Sequence, residues 1–365
     1  MTTLAMTRSA AAAKSSGSRL IRSLAGAAIA LLCGVTSAQA QNWTADVASA
    51  SAATLTKAPV GGSRVIRFNS YSMYALPMDH AYAMNNAGLI VGDDDGKGAV
   101  YVNGQVAYLA SPQGYTDVKA WAVSNNGIIV GTGMSAGHQR PLKWNSYTSP
   151  GVDMGAIARI TQPLAVNSSG VVAGYTMTSS NAVPRAYKWT PATGTVDIHP
   201  TGYDISTVYD VADSGFMSGY TNYGNNQFYA ARWYPSGAFG SIARGVGYRT
   251  LENGTVYGTG LTNEARMWDV SNTATLIGPS PTTHVVKQIS PNGRYVGVSY
   301  SGTAWTTMNG GALVTLPVPA GTYGAAIDVS ACGTILGSYQ ANINDYHPVI
   351  WSKMTCDLGG IVIAQ

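Results

Sequence analysis

The chain has 365 residues and a formal net charge of +4, with 10% charged and 45% hydrophobic residues. This length fits one large all-β domain or two ordinary domains. Four basic residues lie within the first 22 positions, and the rest of the chain has 17 basic and 17 acidic residues. The sequence therefore has no basic field that would attract a nucleic acid. Gly, Ser, Thr, Asn and Tyr are plentiful, which is typical of short strands joined by tight turns.

The first forty residues have the pattern of a secretory signal peptide. Basic residues precede an apolar run from Leu24 to Val35, and small residues follow at Ala38 and Ala40. Such a run is too short to span a bilayer, and no other apolar run is long enough, so we expect no membrane span. We expect cleavage after Ala40 and a secreted or periplasmic protein, with residues 41–63 forming a flexible lead-in or degenerate strands.

A phrase containing two glycines occurs seven times after this segment. Its first copy is NNAGLIVG, and the copies follow one another at intervals of 39 to 45 residues. The first glycines are Gly88, Gly127, Gly170, Gly215, Gly254, Gly293 and Gly333. The second glycines are Gly92, Gly131, Gly174, Gly219, Gly258, Gly297 and Gly337. A period near forty residues indicates a repeat architecture.

Each repeat has the pattern of four short strands, which the third copy shows as PLAVN, GVVAGYT, RAYKW and TVDI. Asn, Asp or Ser before the first glycine suits a capped hairpin turn, and the second glycine predicts a close approach of two backbones. We interpret the tryptophan that usually ends the third strand as core between blades: Trp144, Trp189, Trp233, Trp268, Trp305 and Trp351. The pattern predicts an all-β fold, a seven-bladed β-propeller with four antiparallel strands per blade. A parallel β-helix is the alternative, although its coils are usually shorter.

The phrase A-x-x-[IV]-N/S-x-x-G-x-[IV]-[IV]-G resembles the HAF repeat of bacterial extracellular proteins. The resemblance extends from residue 79 to about residue 360. It implies secretion and a propeller-like fold, and it implies no particular activity.

The two ends of the repeat region leave the number of blades open. Residues 64–76 look like a third and fourth strand without the first two. The seventh repeat already has its own third and fourth strands in PVIW and TCDL. This strand pair lies outside the seventh blade or, together with residues 43–58, belongs to an eighth. We favour seven blades and assign residues 64–365 to the propeller.

Cys332 and Cys356 are the cysteines that remain after cleavage. In an oxidising compartment an even pair of cysteines favours a disulfide. We expect a structural bond between them, with two buried thiols as the alternative.

Two loops of each repeat lie at the edge where the first strand begins: the loop before strand one and the loop between strands two and three. Variable loops on a repeated scaffold usually carry function, so we expect the binding site at this edge. All five histidines map to these loops or beside them: His80, His138, His199, His284 and His347.

Three functions fit these loops, and the first is a binding module for an extracellular polysaccharide or a protein partner. The second is a polysaccharide lyase, in which His or Tyr moves the protons and a cation neutralises a uronate carboxylate. Its catalytic candidates are His80, His138, His347, Tyr175 and Tyr220. Its substrate-binding candidates are Lys119, Arg140, Arg185, Gln162 and Tyr229.

The third function is hydrolysis by paired carboxylates. Its candidates are Asp79, Asp93, Asp94, Asp95, Asp345 and Glu264. We expect no metal site and no cofactor. The run from Asp93 to Asp95 offers oxygen ligands for Ca²⁺ but lacks the spacing of a known calcium loop, so a solvated turn is the simpler interpretation. We expect the protein to be a monomer.

Overall fold

A computed structural model describes residues 65–68, 71–180, 182–224, 227–277, 284–290, 292–299, 301–308, 311–342 and 345–353. Within these ranges the chain forms 28 β-strands and no helix, which confirms the all-β prediction. It follows that this part of the chain has no helix long and apolar enough to cross a membrane.

The strands follow the chain mainly as antiparallel sets of four, which we call blades and number in chain order. Two strands precede the first set: β1 (Val65–Phe68) and β2 (Tyr71–Ala75). Blade 1 consists of β3 (His80–Met84), β4 (Ile90–Asp94), β5 (Lys97–Val102) and β6 (Gln105–Tyr108). Blade 2 consists of β7 (Thr116–Val123), β8 (Ile129–Ser135), β9 (His138–Trp144) and β10 (Val152–Asp153). Blade 3 consists of β11 (Ile160–Val166), β12 (Val172–Met177), β13 (Arg185–Thr190) and β14 (Gly194–Asp197).

Blades 4 and 5 share one long strand. Blade 4 consists of β15 (Ile205–Val211), β16 (Met217–Asn222), β17 (Phe228–Trp233) and the first half of β18 (Phe239–Thr250). Blade 5 consists of the second half of β18, β19 (Val256–Gly260), β20 (Ala265–Trp268) and β21 (Ala274–Leu276). The change of sheet falls at Gly245, where φ is 144° and a Cβ would lie 2.1 Å from the carbonyl oxygen of Thr259. Only glycine fits this position.

Blade 7 combines strands from both ends of the described chain. Blade 6 consists of β22 (His284–Ile289), β23 (Arg294–Ser299), β24 (Ala304–Met308) and β25 (Val314–Thr315). Blade 7 begins with β26 (Tyr323–Val329), β27 (Ile335–Gln340) and β28 (Tyr346–Ser352). β2 pairs with β28 as its fourth strand, and β1 adds a fifth. Assigning residues 355–358 to the fourth position was therefore wrong, because β2 forms the ladder with β28. Residues 355–358 lie outside the described residues.

The hydrophobic cores lie between neighbouring blades. Trp144 of blade 2 packs with Val91 of blade 1, and Ile350 of blade 7 packs with Ala81 of blade 1. Most of the predicted tryptophans are almost completely buried, which confirms that they belong to the core. Four indoles also donate to a carbonyl in the segment before their own blade: Trp144 to Ala110, Trp189 to Met154, Trp233 to Ile198 and Trp351 to Pro317.

The two glycines of the repeat have separate physical roles. All seven first glycines have φ between 76° and 89°, a region that strains residues with a Cβ. At each second glycine a Cβ would lie 1.8 to 2.1 Å from a carbonyl oxygen of the first strand. The predicted close backbone approach is therefore confirmed, and it occurs in every blade.

A β-bulge follows this close approach in every first strand. The bulged residues are Tyr82, Trp121, Leu164, Tyr209, Tyr248, Lys287 and Ile327. A bulge bends its strand and turns the extra side chain away from regular alternation. The seven copies thus share a backbone distortion but differ in the side chain that it displays.

Polar side chains beside the first glycine connect the blades. The Asn85 side-chain oxygen accepts hydrogen bonds from the backbone N–H groups of Ala87 and Leu89 and so caps its own turn. Its amide donates to the carbonyl of Ser124 in blade 2, at 3.1 Å. The side chain of Asn86 accepts from the backbone N–H of Ala331 in blade 7, at 2.8 Å. The repeated Asn and Ser residues therefore serve both the turn and the next blade.

Two buried aspartates join first strands of different blades. Asp328 accepts hydrogen bonds from the backbone N–H groups of Met84 in blade 1 and of Val329, at 2.8 and 2.7 Å. Asp210 accepts from the backbone N–H of Thr250 and pairs with Arg249, at 2.8 and 2.7 Å. Burial raises the pKa of Asp328 to about 6 and also raises the pKa of Asp210, although these donors partly oppose the effect.

We expect Gly131→Ala to lower the free energy of unfolding by at least about 3 kcal/mol, because its Cβ would overlap a backbone carbonyl. The matched control is Gly127→Ala in the same blade, where φ is 87° and no atom lies within 4 Å of the added Cβ. Its cost should be about 1 to 2 kcal/mol, from backbone strain alone. Urea denaturation measures both values, and an equal cost for the two variants would contradict the assignment.

We expect Asp328 to make the protein more stable as the pH falls from 7.5 to 5. A carboxyl group whose pKa is raised by folding binds its proton more tightly in the folded state, so protonation favours folding. The rise from 3.8 to about 6 corresponds to about 3 kcal/mol over the full titration, and roughly half of this develops between pH 7.5 and 5. Asp328→Asn cannot titrate, so the stability difference between wild type and variant should shift in favour of wild type across this range. A difference that does not depend on pH would contradict this role.

Candidate functional site

Three side chains converge on the carboxylate of Asp93, which is only 4% exposed. The Nδ1 atom of His80 lies 3.2 Å from Oδ2, and the Tyr82 hydroxyl donates to Oδ1 at 2.7 Å. The Nζ atom of Lys119, from blade 2, lies 3.8 Å from Oδ1. The second glycine and the bulge position these groups, because Asp93 follows Gly92 and Tyr82 is the bulged residue of β3.

Aromatic rings complete this group. The bulged residues Tyr82 and Trp121 have ring centroids 4.3 Å apart, and the Trp121 indole donates to Thr132 at 2.9 Å. Tyr346 of blade 7 places its ring 5.0 Å from that of His80. We call the six residues His80, Tyr82, Asp93, Lys119, Trp121 and Tyr346 the Asp93 cluster. His80, Lys119 and both bulged rings are partly exposed, so the cluster can contact a ligand.

Burial and neighbouring groups shift the pKa values of three members of the Asp93 cluster. Burial alone would raise the pKa of Asp93, but the His80 hydrogen bond and the charge of Lys119 outweigh it and lower that pKa. Burial raises the pKa of Tyr82 well above its usual value and that of Tyr346 to about 12. At neutral pH Asp93 is therefore ionised, while both phenols remain protonated.

An ionised Asp93 also sets the orientation of His80. Since the carboxylate can only accept, Nδ1 of His80 carries the proton of their hydrogen bond. Among the described residues, Nε2 has no hydrogen-bond partner. In a neutral imidazole Nε2 is an acceptor, so it can accept a hydrogen bond from a ligand hydroxyl or act as a general base.

A second aromatic group occupies blades 3 to 6. The ring of Tyr209 lies 5.7 Å from that of Tyr220 and 5.5 Å from that of Tyr248. Lys287 places Nζ 4.2 Å from the ring centroid of Tyr248. Burial raises the pKa of Tyr175 to about 12, and the neighbouring Tyr220 adds to this rise. The predicted catalytic residues Tyr175 and Tyr220 therefore belong to this second aromatic group and not to the Asp93 cluster.

The predicted cations outside these clusters pair with carboxylates of their own blades. Arg140 pairs with Asp153 at 2.5 Å, and Arg185 pairs with Asp197 at 2.8 Å. His347 pairs with Asp345 at 2.8 Å and stacks on Tyr339. Arg140, Arg185 and His347 therefore each have a carboxylate partner in their own blade, and that partner is not Asp93.

The remaining candidates are also dispersed. His138 is exposed at the start of β9. Gln162 accepts a hydrogen bond from Gln139 at 2.6 Å. Tyr229 donates to Gln227 at 3.2 Å. Of the substrate-binding candidates, Lys119 alone belongs to the Asp93 cluster as defined here.

The carboxylates of the Asp93 to Asp95 run have different partners. Asp94 accepts from the Tyr108 hydroxyl at 2.7 Å, and Asp95 lies 3.6 Å from Lys97. Across the described parts of the chain, no group of three or more His, Cys, Asp or Glu residues could hold a metal ion. The run does not gather its oxygens into one cage, and so the calcium interpretation is not supported.

The predicted disulfide stays a prediction. Cys332 is exposed in the turn between β26 and β27, and Cys356 lies outside the described residues.

The sequence reasoning missed Tyr82, Trp121 and Tyr346. The bulge explains the first two, because the direction of a bulged side chain does not follow the regular alternation that a sequence pattern assumes. A signal was present in the repeat: two positions after His80 and its equivalents the side chain changes from copy to copy, and in the first two copies it is an aromatic residue between two alanines.

Comparison with known proteins supports the fold and nothing finer. No family model matches the chain, and no curated protein matches it. The structure from a study of two prolyl endopeptidases has 14% identity and a TM-score of 0.51, over 72% of this chain and 46% of that chain. This chain therefore spans about half the length of that protein.

Two further solved structures are also similar in part. YCF48 bound to a D1 peptide has 12% identity and a TM-score of 0.49, over 79% of this chain and 97% of that one. The WD40 β-propeller domain of Doa1 has 14% identity and a TM-score of 0.47, over 79% and 99%. Consecutive four-stranded antiparallel sheets packed face to face define the class of this protein as a β-propeller.

We expect Asp93→Asn to lower the free energy of unfolding at pH 7 by about 2 kcal/mol, because it removes the negative charge and replaces one of the two acceptor oxygens, which three side chains share, with a donor. Asp95→Asn is the matched control, since the Asp95 side chain is 85% exposed, and it should change stability by less than about 0.5 kcal/mol. Thermal and urea denaturation measure both variants. If the two costs were the same, Asp93 would not be the centre of the cluster.

Proposed function

We propose that this protein is a secreted or periplasmic binding protein that recognises an extracellular glycan through the Asp93 cluster. The observation that carries this proposal is the partly exposed pair of Tyr82 and Trp121, which lies beside Lys119 and His80. Blades 7, 1 and 2 each contribute to the cluster. The site is therefore produced by the packing of blades and not by one loop.

The chemistry of the Asp93 cluster suits a sugar. Aromatic ring faces pack against the apolar faces of sugar rings, and oriented polar groups fix their hydroxyls. His80 offers an acceptor at Nε2, while the ammonium of Lys119 has donors left after its 3.8 Å contact with Asp93. A protein partner is the alternative ligand, and a glycan-binding assay distinguishes it from a glycan.

The binding proposal includes a closed ring of seven blades. The ladder between β2 and β28 supports closure, as do the Asp328 hydrogen bond to Met84 and the core shared by Ile350 and Ala81. These contacts join blade 7 to blade 1 and favour seven blades over eight. The signal-like pattern of residues 1–40 supports export, and we propose that the ring acts as a monomer.

A polysaccharide lyase is the second candidate. The hydrogen bond between His80 and Asp93 favours it, because an oriented imidazole can remove the proton beside a uronate carboxylate. Lys119 would neutralise that carboxylate, and a protonated Tyr82 or Tyr346 would supply the acid. Arg140 and Arg185 have no part in this version, since Asp153 and Asp197 already bind them.

Hydrolysis by paired carboxylates has less support. The Asp93 carboxylate is held by three donors, and Asp94 and Asp95 have separate partners. A hydrolase needs one carboxylic acid and one carboxylate facing the same bond.

We expect the purified protein to retain at least one acidic or neutral polysaccharide in affinity electrophoresis. Trp121→Ala should weaken this binding about tenfold or more, because the stacking face is lost. The matched control is Tyr108→Ala on the outer strand of blade 1, where the side chain is 52% exposed, and its binding should equal wild type. Wild-type affinity in Trp121→Ala would contradict the site, and failure of a broad glycan panel would favour a protein partner.

The products of the same incubations separate binding from chemistry. Binding alone leaves the polymer length unchanged. A lyase would produce ultraviolet absorbance from unsaturated uronates, and His80→Ala would abolish it, whereas a hydrolase would produce reducing ends without that absorbance.

A further inference from the structure

Blade 6 contains a cleft of about 290 Å³ that is separate from the Asp93 cluster. His284 lines it at the start of β22, and Ser299, Ser301 and Thr303 line it from the turn between β23 and β24. Trp305 of β24 also lines it. This volume is close to the lower end of the range for small-molecule sites, about 300 Å³.

The turn provides a chain of hydroxyl groups. The Oγ atoms of Ser299 and Ser301 are 2.7 Å apart, and Oγ of Ser301 is 3.3 Å from Oγ1 of Thr303. The backbone N–H of Thr303 donates to Ser299 at 3.0 Å, which fixes the turn. Because every hydroxyl both donates and accepts, this chain can match the alternating donors and acceptors of another polyhydroxyl molecule.

Trp305 adds an aromatic side to the cleft and is only 3% exposed. Among the described residues its indole N–H has no acceptor, whereas four tryptophans at the same repeat position donate to a linker carbonyl. In the described part of the chain Trp268 also lacks an acceptor, but blade 5 has no preceding linker, because β18 is continuous. Trp305 therefore differs from the four donating tryptophans: its indole is buried without an acceptor among the described residues, and it lies beside a cleft.

The described residues that line the cleft carry no charge at neutral pH. Leu313 and Thr315 complete the described lining, and no carboxylate, ammonium or guanidinium group is among these residues. The His284 ring meets Trp305 edge-on at 5.7 Å, and burial lowers its pKa, so at neutral pH the imidazole is neutral. A charged ligand would lose its hydration here without gaining an ion pair.

We propose that the blade 6 cleft binds a single neutral sugar ring or a polyol of similar size. The ligand would lie against the small exposed part of Trp305, and its hydroxyls would join the chain formed by Ser299, Ser301 and Thr303. This site is independent of the Asp93 cluster, which presents charged groups and therefore has a different preference.

The test is a titration of the full chain with glucose, galactose, mannose and, as the charged comparator, glucuronate. The readout is the NMR signal of the Trp305 indole N–H, which is assigned by its loss in Trp305→Phe. We expect a saturable shift with at least one neutral sugar and at least tenfold weaker binding of glucuronate. If no neutral sugar shifts the signal, or if glucuronate binds as well, the proposal is overturned.

Two variants locate the binding. Ser301→Leu should weaken neutral-sugar binding at least tenfold, because its side chain fills the cleft from an exposed turn position. Trp121→Ala in the Asp93 cluster is the matched control and should leave the Trp305 shift unchanged. Wild-type binding in Ser301→Leu, or loss of the shift in Trp121→Ala, would show that the sugar does not occupy the blade 6 cleft.

Discussion

The close approach between the second glycine of each repeat and a first-strand carbonyl is the constraint on which the rest of the structure depends. Because a Cβ would lie 1.8 to 2.1 Å from an oxygen, no side chain can be accommodated at any of these second glycines. The bulge follows this contact directly. The same backbone arrangement that brings the first two strands together therefore displays one variable side chain per blade. Two of these side chains, Tyr82 and Trp121, form the aromatic part of the Asp93 cluster.

The fold could be predicted from the sequence wherever a backbone constraint restricts residue identity. The glycines, the turn residues equivalent to Asn85 and the tryptophans are restricted in this way. Their positions in the sequence predicted the repeat period and the strand pattern. The pairing of β2 with β28 could not be predicted, because it depends on which edge is open in the folded protein and not on a local pattern. The continuous β18 was missed for the same reason, since it changes sheet at one glycine.

The candidate site could be predicted only in part. The alignment of repeats identified His80 and Lys119, which meet at Asp93. It could not show that Arg140 and Arg185 pair with carboxylates on adjacent strands, because repeat alignment contains no information on side-chain partners. Strict alternation places Tyr82 and Met84 on one face, but the bulge moves Met84 into the core with Ala81. Burial also acts differently on similar groups: Asp93 has enough donors to remain ionised, whereas Asp328 does not offset its burial and its pKa rises to about 6.

Hydrogen exchange with and without a bound polysaccharide tests the central claim most directly, which is that the first strands of blades 1 and 2 and the third strand of blade 7 form one binding surface. The account predicts added protection in His80–Met84, Thr116–Val123 and Tyr346–Ser352 together, with no change in the outer strands β6, β10 and β14. Protection confined to outer strands, or to a single blade, would contradict it.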